Sequence, residues 1–207
     1  MDSYAESDCH ELLLRLAGRL PDRQLWRFRD WLAAGAVTAL ARTLPLTLLR
    51  ERVGLTAEES RLLTNALRPA GADPERLNAL PWVDEIAEVD YTFTSESPEW
   101  VSMGDSGGVV LGAIVRDRTD IGEVRGTWRL PRTGGGAATR VVLVTSSGQC
   151  ARLVGELQRV LRALGTHEPS VEVIPRGLLL PRYHQAALAA SVPLAMGAAE
   201  GGQLVPS

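Results

Sequence analysis

Apolar positions along this chain follow two regimes. From residue 8 to about 80 they recur at helical spacing in short blocks, and beyond Pro81 they alternate with polar residues or run together as in strands. Asp8 and Glu11 precede Leu12, Leu13, Leu14 and Leu16 at the spacing of a capping box, which predicts a helix start. After Pro21, Leu25, Phe28 and Leu32 share one face, with Trp26 beside it and Arg23, Arg27 and Asp30 towards the other side. Gly35 predicts the end of that helix. Residues 37–42 and 46–52 read as two short helices around Pro45. Thr56 and Glu59 form a second capping box before Leu62, Leu63, Ala66 and Leu67, and Asp73-Pro74-Glu75 is a third start signal.

In the second regime Val89, Tyr91 and Phe93 alternate with Asp90, Thr92 and Thr94, which predicts a half-buried strand. Ser97-Pro98-Glu99 predicts a helical turn. Residues 109–115 are apolar throughout, and periodicity leaves helix and strand both open. Residues 124–130 read as a strand, pairing as a hairpin with 140–145 across the loop of Gly134, Gly135 and Gly136. Val141, Val142, Leu143 and Val144 have the uninterrupted apolar character of a central strand, broken by Ser146-Ser147-Gly148. Leu153, Val154, Leu157, Val160, Leu161 and Leu164 then repeat at helical spacing, with Arg152 and Glu156 placed to pair on the other side and Gly165 as the stop. A strand over 171–174 completes a βαβ unit, and 181–190 predicts a last helix. The expected fold class is α+β or α/β: a helical region over 1–80, an α/β region over 81–196 containing the βαβ unit, and a flexible tail over 197–207, with the boundary in 68–84.

Composition narrows the chemistry. All 22 basic residues other than histidine are arginine, so Schiff-base, P-loop and kinase-type lysines are excluded. Coding bias in a GC-rich genome, expected to be bacterial, is the expected cause of the absence of lysine, since Ala, Leu, Arg, Gly and Val also dominate. A formal net charge of −3 argues against broad nucleic-acid binding. No apolar run is long enough to span a membrane, the N-terminus lacks the pattern of a secretory signal, and the two cysteines, Cys9 and Cys150, lie far apart, so a cytoplasmic protein with reduced thiols is expected.

The candidate sites are few. Ser146, Ser147 and Gly148 stand between a strand and a helix, where helix amides face an anion; a serine cap on those same amides is the alternative. Arg182 and His184 are candidates to complete that ligand site, or else lie with Tyr183 on the solvated face of the last helix. Cys150 opens the same helix, whose dipole favours thiolate, against the alternative of a small buried cysteine. Trp26, Arg27 and Trp31 are candidates for a protein-binding surface. Arg42, Arg50, Arg52 and Arg61 flank a segment loosely like a helix-turn-helix, but its first turn, Ala57-Glu58-Glu59, would repel phosphate, so nucleic acid is not the expected partner. Asp84, Glu85, Glu88 and Asp90 lack calcium-loop spacing and read as a solvated edge; no metal or cofactor is expected. Gly104-Asp105-Ser106-Gly107-Gly108 resembles the nucleophile segment of chymotrypsin-like serine proteases over five residues, yet only His10 precedes it and the strands of a double barrel are missing. The reading that follows is a non-enzymatic regulatory or adaptor protein acting on a protein partner. The alternatives are a ligand-binding protein or enzyme using the 145–150 turn, and a DNA-binding regulator.

Overall fold

A computed structural model describes residues 3–86, 90–96, 106–133 and 136–197. The helical region comprises α1 (Ser3–Arg15), α2 (Asp22–Ala33), α3 (Val37–Arg50), α4 (Ala57–Leu67) and α5 (Pro74–Asn78). The α/β region follows as β1 (Tyr91–Thr94), α6 (Ser106–Val115), β2 (Ile121–Pro131), β3 (Thr139–Ser146), α7 (Cys150–Ala163), β4 (Ser170–Pro175), α8 (Arg182–Ala189) and β5 (Val192–Met196). A helical N-terminal region thus precedes a mixed five-stranded sheet, an α+β arrangement.

Several starts and stops follow local chemistry. Thr56 and Glu59 close a reciprocal capping box at α4, and the Asp73 side chain caps α5 ahead of Pro74. Gly165 ends α7 at φ 95°, a left-handed conformation open to glycine without strain. Two expectations fail for tertiary reasons. Asp8 and Glu11 do not begin a helix. They lie inside α1, because Ala5 and Cys9 continue the buried stripe of Leu12, Leu13 and Leu16 backwards, and Glu11 pairs with Arg15 instead. Residues 37–50 form one helix through Pro45, with Leu40, Ala41, Leu44 and Leu48 buried on both sides of it. A proline in a helix interior costs about 3 kcal/mol or more, which burial of that continuous face offsets.

The sheet runs β1-β2-β3-β4. β2 and β3 form the expected antiparallel hairpin, and β3 and β4 are parallel across α7. The ambiguous apolar run at 109–115 is helix α6. β5 had no clear sequence signal; it pairs with β2 over Glu123–Gly126, along the edge that β1 covers further on at Trp128–Pro131. Val89 and the turn at Ser97, as well as the tail from 198 onward, lie outside the described residues.

One sheet face packs Val124, Val142, Val144, Val171 and Val173 against the leucines of α7 and against Leu111 and Val115 of α6. The opposite face packs Val141, Leu143 and Ile174 on Ala187 of α8. The helices α1–α4 share a leucine-rich core that also takes in Ala151 of α7 and Tyr183 of α8. They reach β4 as well: Arg29 of α2 donates to the Val171 carbonyl at 2.9 Å, and His10 Nε2 of α1 lies 2.8 Å from the Val173 carbonyl. Two side chains therefore satisfy backbone acceptors of the terminal strand, a position that otherwise invites pairing with another chain.

Candidate functional site

The Ser146–Gly148 turn is held by a single carbonyl. Ser146 Oγ donates to Asp120 O at 2.9 Å and accepts from the Gly148 amide at 3.0 Å, while the Ser147 amide donates to the same carbonyl at 2.9 Å. The serines therefore do not cap the following helix, contrary to the alternative that the sequence offered. The N-cap of α7 is Gln149, whose side chain makes no cap hydrogen bond. A Cβ at Gly148 would lie 2.5 Å from Asp120 Oδ2, so glycine is needed for this close approach. Arg118 beside Asp120 holds that carboxyl below its usual range, against the upward push of burial, and Arg118 also pairs with Glu156 at 2.9 Å. That ion pair replaces the expected pairing of Glu156 with Arg152.

The uncapped first turn opens on a groove of about 540 Å³ at the carboxyl ends of the parallel strands β3 and β4. Residues 148–151 line it on one side and residues 175–178 on another, with Glu6, His10 and Glu11 of α1 opposite. Such crevices are where open α/β sheets take ligands. The groove has mixed charge: Arg176 and the positive end of α7 on one side, Glu6 and Glu11 on the other. Cys150 also lines it, but burial pushes its thiol pKa up, so the thiolate favoured by helix position alone does not form. Burial likewise lowers the His10 pKa to about 4, leaving a neutral imidazole committed to the Val173 carbonyl.

The other two predicted ligand residues lie elsewhere. His184 is completely buried, not on a solvated face, and its Nε2 is 3.0 Å from Glu172 Oε2. Glu172 in turn accepts two bonds from Arg29, at 2.8 and 2.5 Å. Burial pushes the Glu172 carboxyl up, but the Arg29 charge and the bond to His184 win and hold it below the usual range. Arg182 is exposed and lines a separate cavity beside Arg15 and Arg19. The structure thus places Gly148 on the groove, His184 in a buried ionic cluster, and Arg182 at another opening.

The proposed partner surface is largely used internally. Trp26 is half-buried with the Arg162 guanidinium 4.8 Å from its ring centroid, and its carbonyl accepts from Gln158 of α7. Trp31 is half-buried and tilted against Phe28 at 5.9 Å; only Arg27 of the three is exposed. The protease-like segment becomes helix from residue 106, while Gly104 and Asp105 lie outside the described residues. Among the described residues no group of histidine, cysteine, aspartate and glutamate could hold a metal ion, and no helix is long and apolar enough to cross a membrane.

Gln149 lies within the 145–150 turn that the sequence pointed to, whereas Arg176 and His10 were not singled out as groove residues. Arg29 and Glu172 carry a plainer signal: each is a charge interrupting an apolar face or run. No protein-family model, curated protein or solved structure matches this chain.

Proposed function

We propose that this chain is a regulatory ligand-binding protein, taking a small molecule with an anionic group in the groove beside α7. The observation that carries this reading is the combination of an uncapped helix start, Gln149, with a groove of about 540 Å³ at the carboxyl ends of β3 and β4. Helix-start amides and the dipole favour an anion there. Glu6 and Glu11 across the groove favour a ligand whose other end carries hydrogen-bond donors. The raised thiol of Cys150 and the engaged imidazole of His10 suit a binding role better than nucleophilic chemistry.

Gln149→Asp separates fold from function. Aspartate is a good N-cap, so the variant is expected to be more stable by about 0.5–2 kcal/mol. Its carboxylate would occupy the anion position. Isothermal titration against phosphorylated and carboxylated metabolites should show a binder for the parent chain that Gln149→Asp loses. Undiminished binding by a stabilised Gln149→Asp variant contradicts the proposal.

A protein partner remains the second reading, now centred on α6 and β5 instead of Trp26 and Trp31. Val109 and Met196 are 74% and 71% exposed beside Leu194 and Ala195, an apolar patch of the kind that marks contact surfaces. Val109→Arg should release a bound protein in a pull-down while anion binding persists; retention of the protein rules this face out.

A further inference from the structure

The cavity beside Arg182 is distinct from the groove. It lies where the end of α1 and the turn after it meet the residue 85–86 segment and the first turn of α8, and its volume is about 240 Å³. Ala17, Ile86, Pro181 and Tyr183 are among the residues that line it. Three arginines, Arg15, Arg19 and Arg182, line it too, and they are not equivalent. Arg15 is tied to Glu11 through Nε and Nη2, at 2.9 and 2.7 Å. Arg19 is anchored by Glu59 at 2.5 Å and by the Gly54 carbonyl. Each guanidinium has five N–H donors, so both retain some after these bonds. The Arg182 side chain has no hydrogen bond or ion pair among the described residues, and the residue stands at the first position of α8. A cation there opposes the helix dipole, which disfavours positive charge at a helix start. Stability alone therefore argues against arginine at this position, and an anion placed between the guanidinium groups would reverse that penalty.

We infer that this cavity is a ligand site in its own right, for a small molecule carrying one carboxylate or phosphate on a compact apolar body. Its volume lies below the roughly 300–1,000 Å³ of sites for drug-sized ligands, so the body is no larger than a single ring or a branched chain. The anion meets Arg182 and the spare donors of Arg15 and Arg19, while the apolar body lies against Ala17, Ile86 and Pro181. Glu85, also on the lining, disfavours ligands with a second negative charge. The site shares no lining residue with the groove, so it stands whether or not the groove binds an anion.

The test uses the full chain and four probes: benzoate, phenyl phosphate, benzyl alcohol and inorganic phosphate. Thermal shift and titration should show saturable binding of benzoate or phenyl phosphate. Benzyl alcohol, lacking the charge, and inorganic phosphate, lacking the apolar body, should bind at least tenfold more weakly. Arg182→Gln should keep or slightly raise the melting temperature without ligand and weaken the favoured probe at least tenfold, whereas Gln149→Asp should leave it unchanged. No binding of either aromatic anion overturns the inference, as does equal binding of inorganic phosphate, equal binding by Arg182→Gln, or loss of binding in Gln149→Asp.

Discussion

Glu172 shows how one residue ties two regions together. Its carboxylate, 1% exposed within the strand run Val171–Ile174, meets Arg29 from α2 and His184 from α8. Removing one partner of a buried pair leaves an uncompensated charge, so Glu172→Gln is expected to destabilise by about 3–5 kcal/mol in chemical denaturation. The double variant Arg29→Met with Glu172→Leu should lose distinctly less, because no charge stays buried alone. A double variant at least as unstable as Glu172→Gln contradicts this account. His10 sets a pH dependence. Its folded pKa of about 4 lies below the 6.5 of an ordinary histidine, so between those values the unfolded chain binds the extra proton. The His10 contribution should therefore be constant above neutrality and lower the stability as pH drops from 6.5 towards 4, by on the order of 3 kcal/mol at about 1.4 kcal/mol per unit. Glu172, depressed when folded, adds its own loss at still lower pH. Urea titrations at pH 7 and pH 4.5 measure the slope, and His10→Gln, which keeps a donor to Val173 without the titration, should flatten it. An unchanged slope in His10→Gln assigns the pH dependence to another group.

Among the elements, α7 joins the sheet, the helical region and the groove. Its leucine face covers the sheet, its other side packs on α2, and its first turn borders the groove. The contact with α2 depends on Gly155, where a Cβ would lie 2.4 Å from Ala33 Cβ. Helix propensity favours alanine over glycine by up to about 1 kcal/mol, but the clash wins here. Gly155→Ala should thus lower the melting temperature, and adding Ala33→Gly should recover part of the loss. A rise in melting temperature for Gly155→Ala alone would contradict this close packing. The strand, helix and strand of this unit were legible because valine-rich runs and a leucine stripe at helical spacing are local patterns. The path of α3 through Pro45 was not, because the tertiary burial that sustains it has no local trace.

For the whole molecule, the two regions are joined by more than a linker. Arg29 and His10 satisfy carbonyls of β4, and Ala151 and Tyr183 belong to the core of the helical region. Expressed alone, residues 81–197 should expose that strand and core surface and self-associate, as judged by light scattering. A monomeric, folded fragment would show that the helices are dispensable. The candidate site divides in the same way between what was and was not legible. Gly148 stands on the groove its sequence context suggested, yet His184 and Arg182, two residues apart, go to the buried cluster and to a separate opening.

By itself the sequence determined most of the helices and strands, though not the single helix α3 or the helical state of α6, together with the capping at α4 and α5 and the exclusion of lysine chemistry, since each depends on residues within a few positions of one another. Only the tertiary structure decided that the serines serve Asp120 and do not cap α7, that His184 is enclosed with Glu172 and Arg29, and that the Arg182 side chain, without a partner among the described residues, lines one cavity with Arg15 and Arg19. Those outcomes depend on which groups distant in sequence arrive at the same point, and on whether the charge, carbonyl or carboxylate they meet there satisfies them.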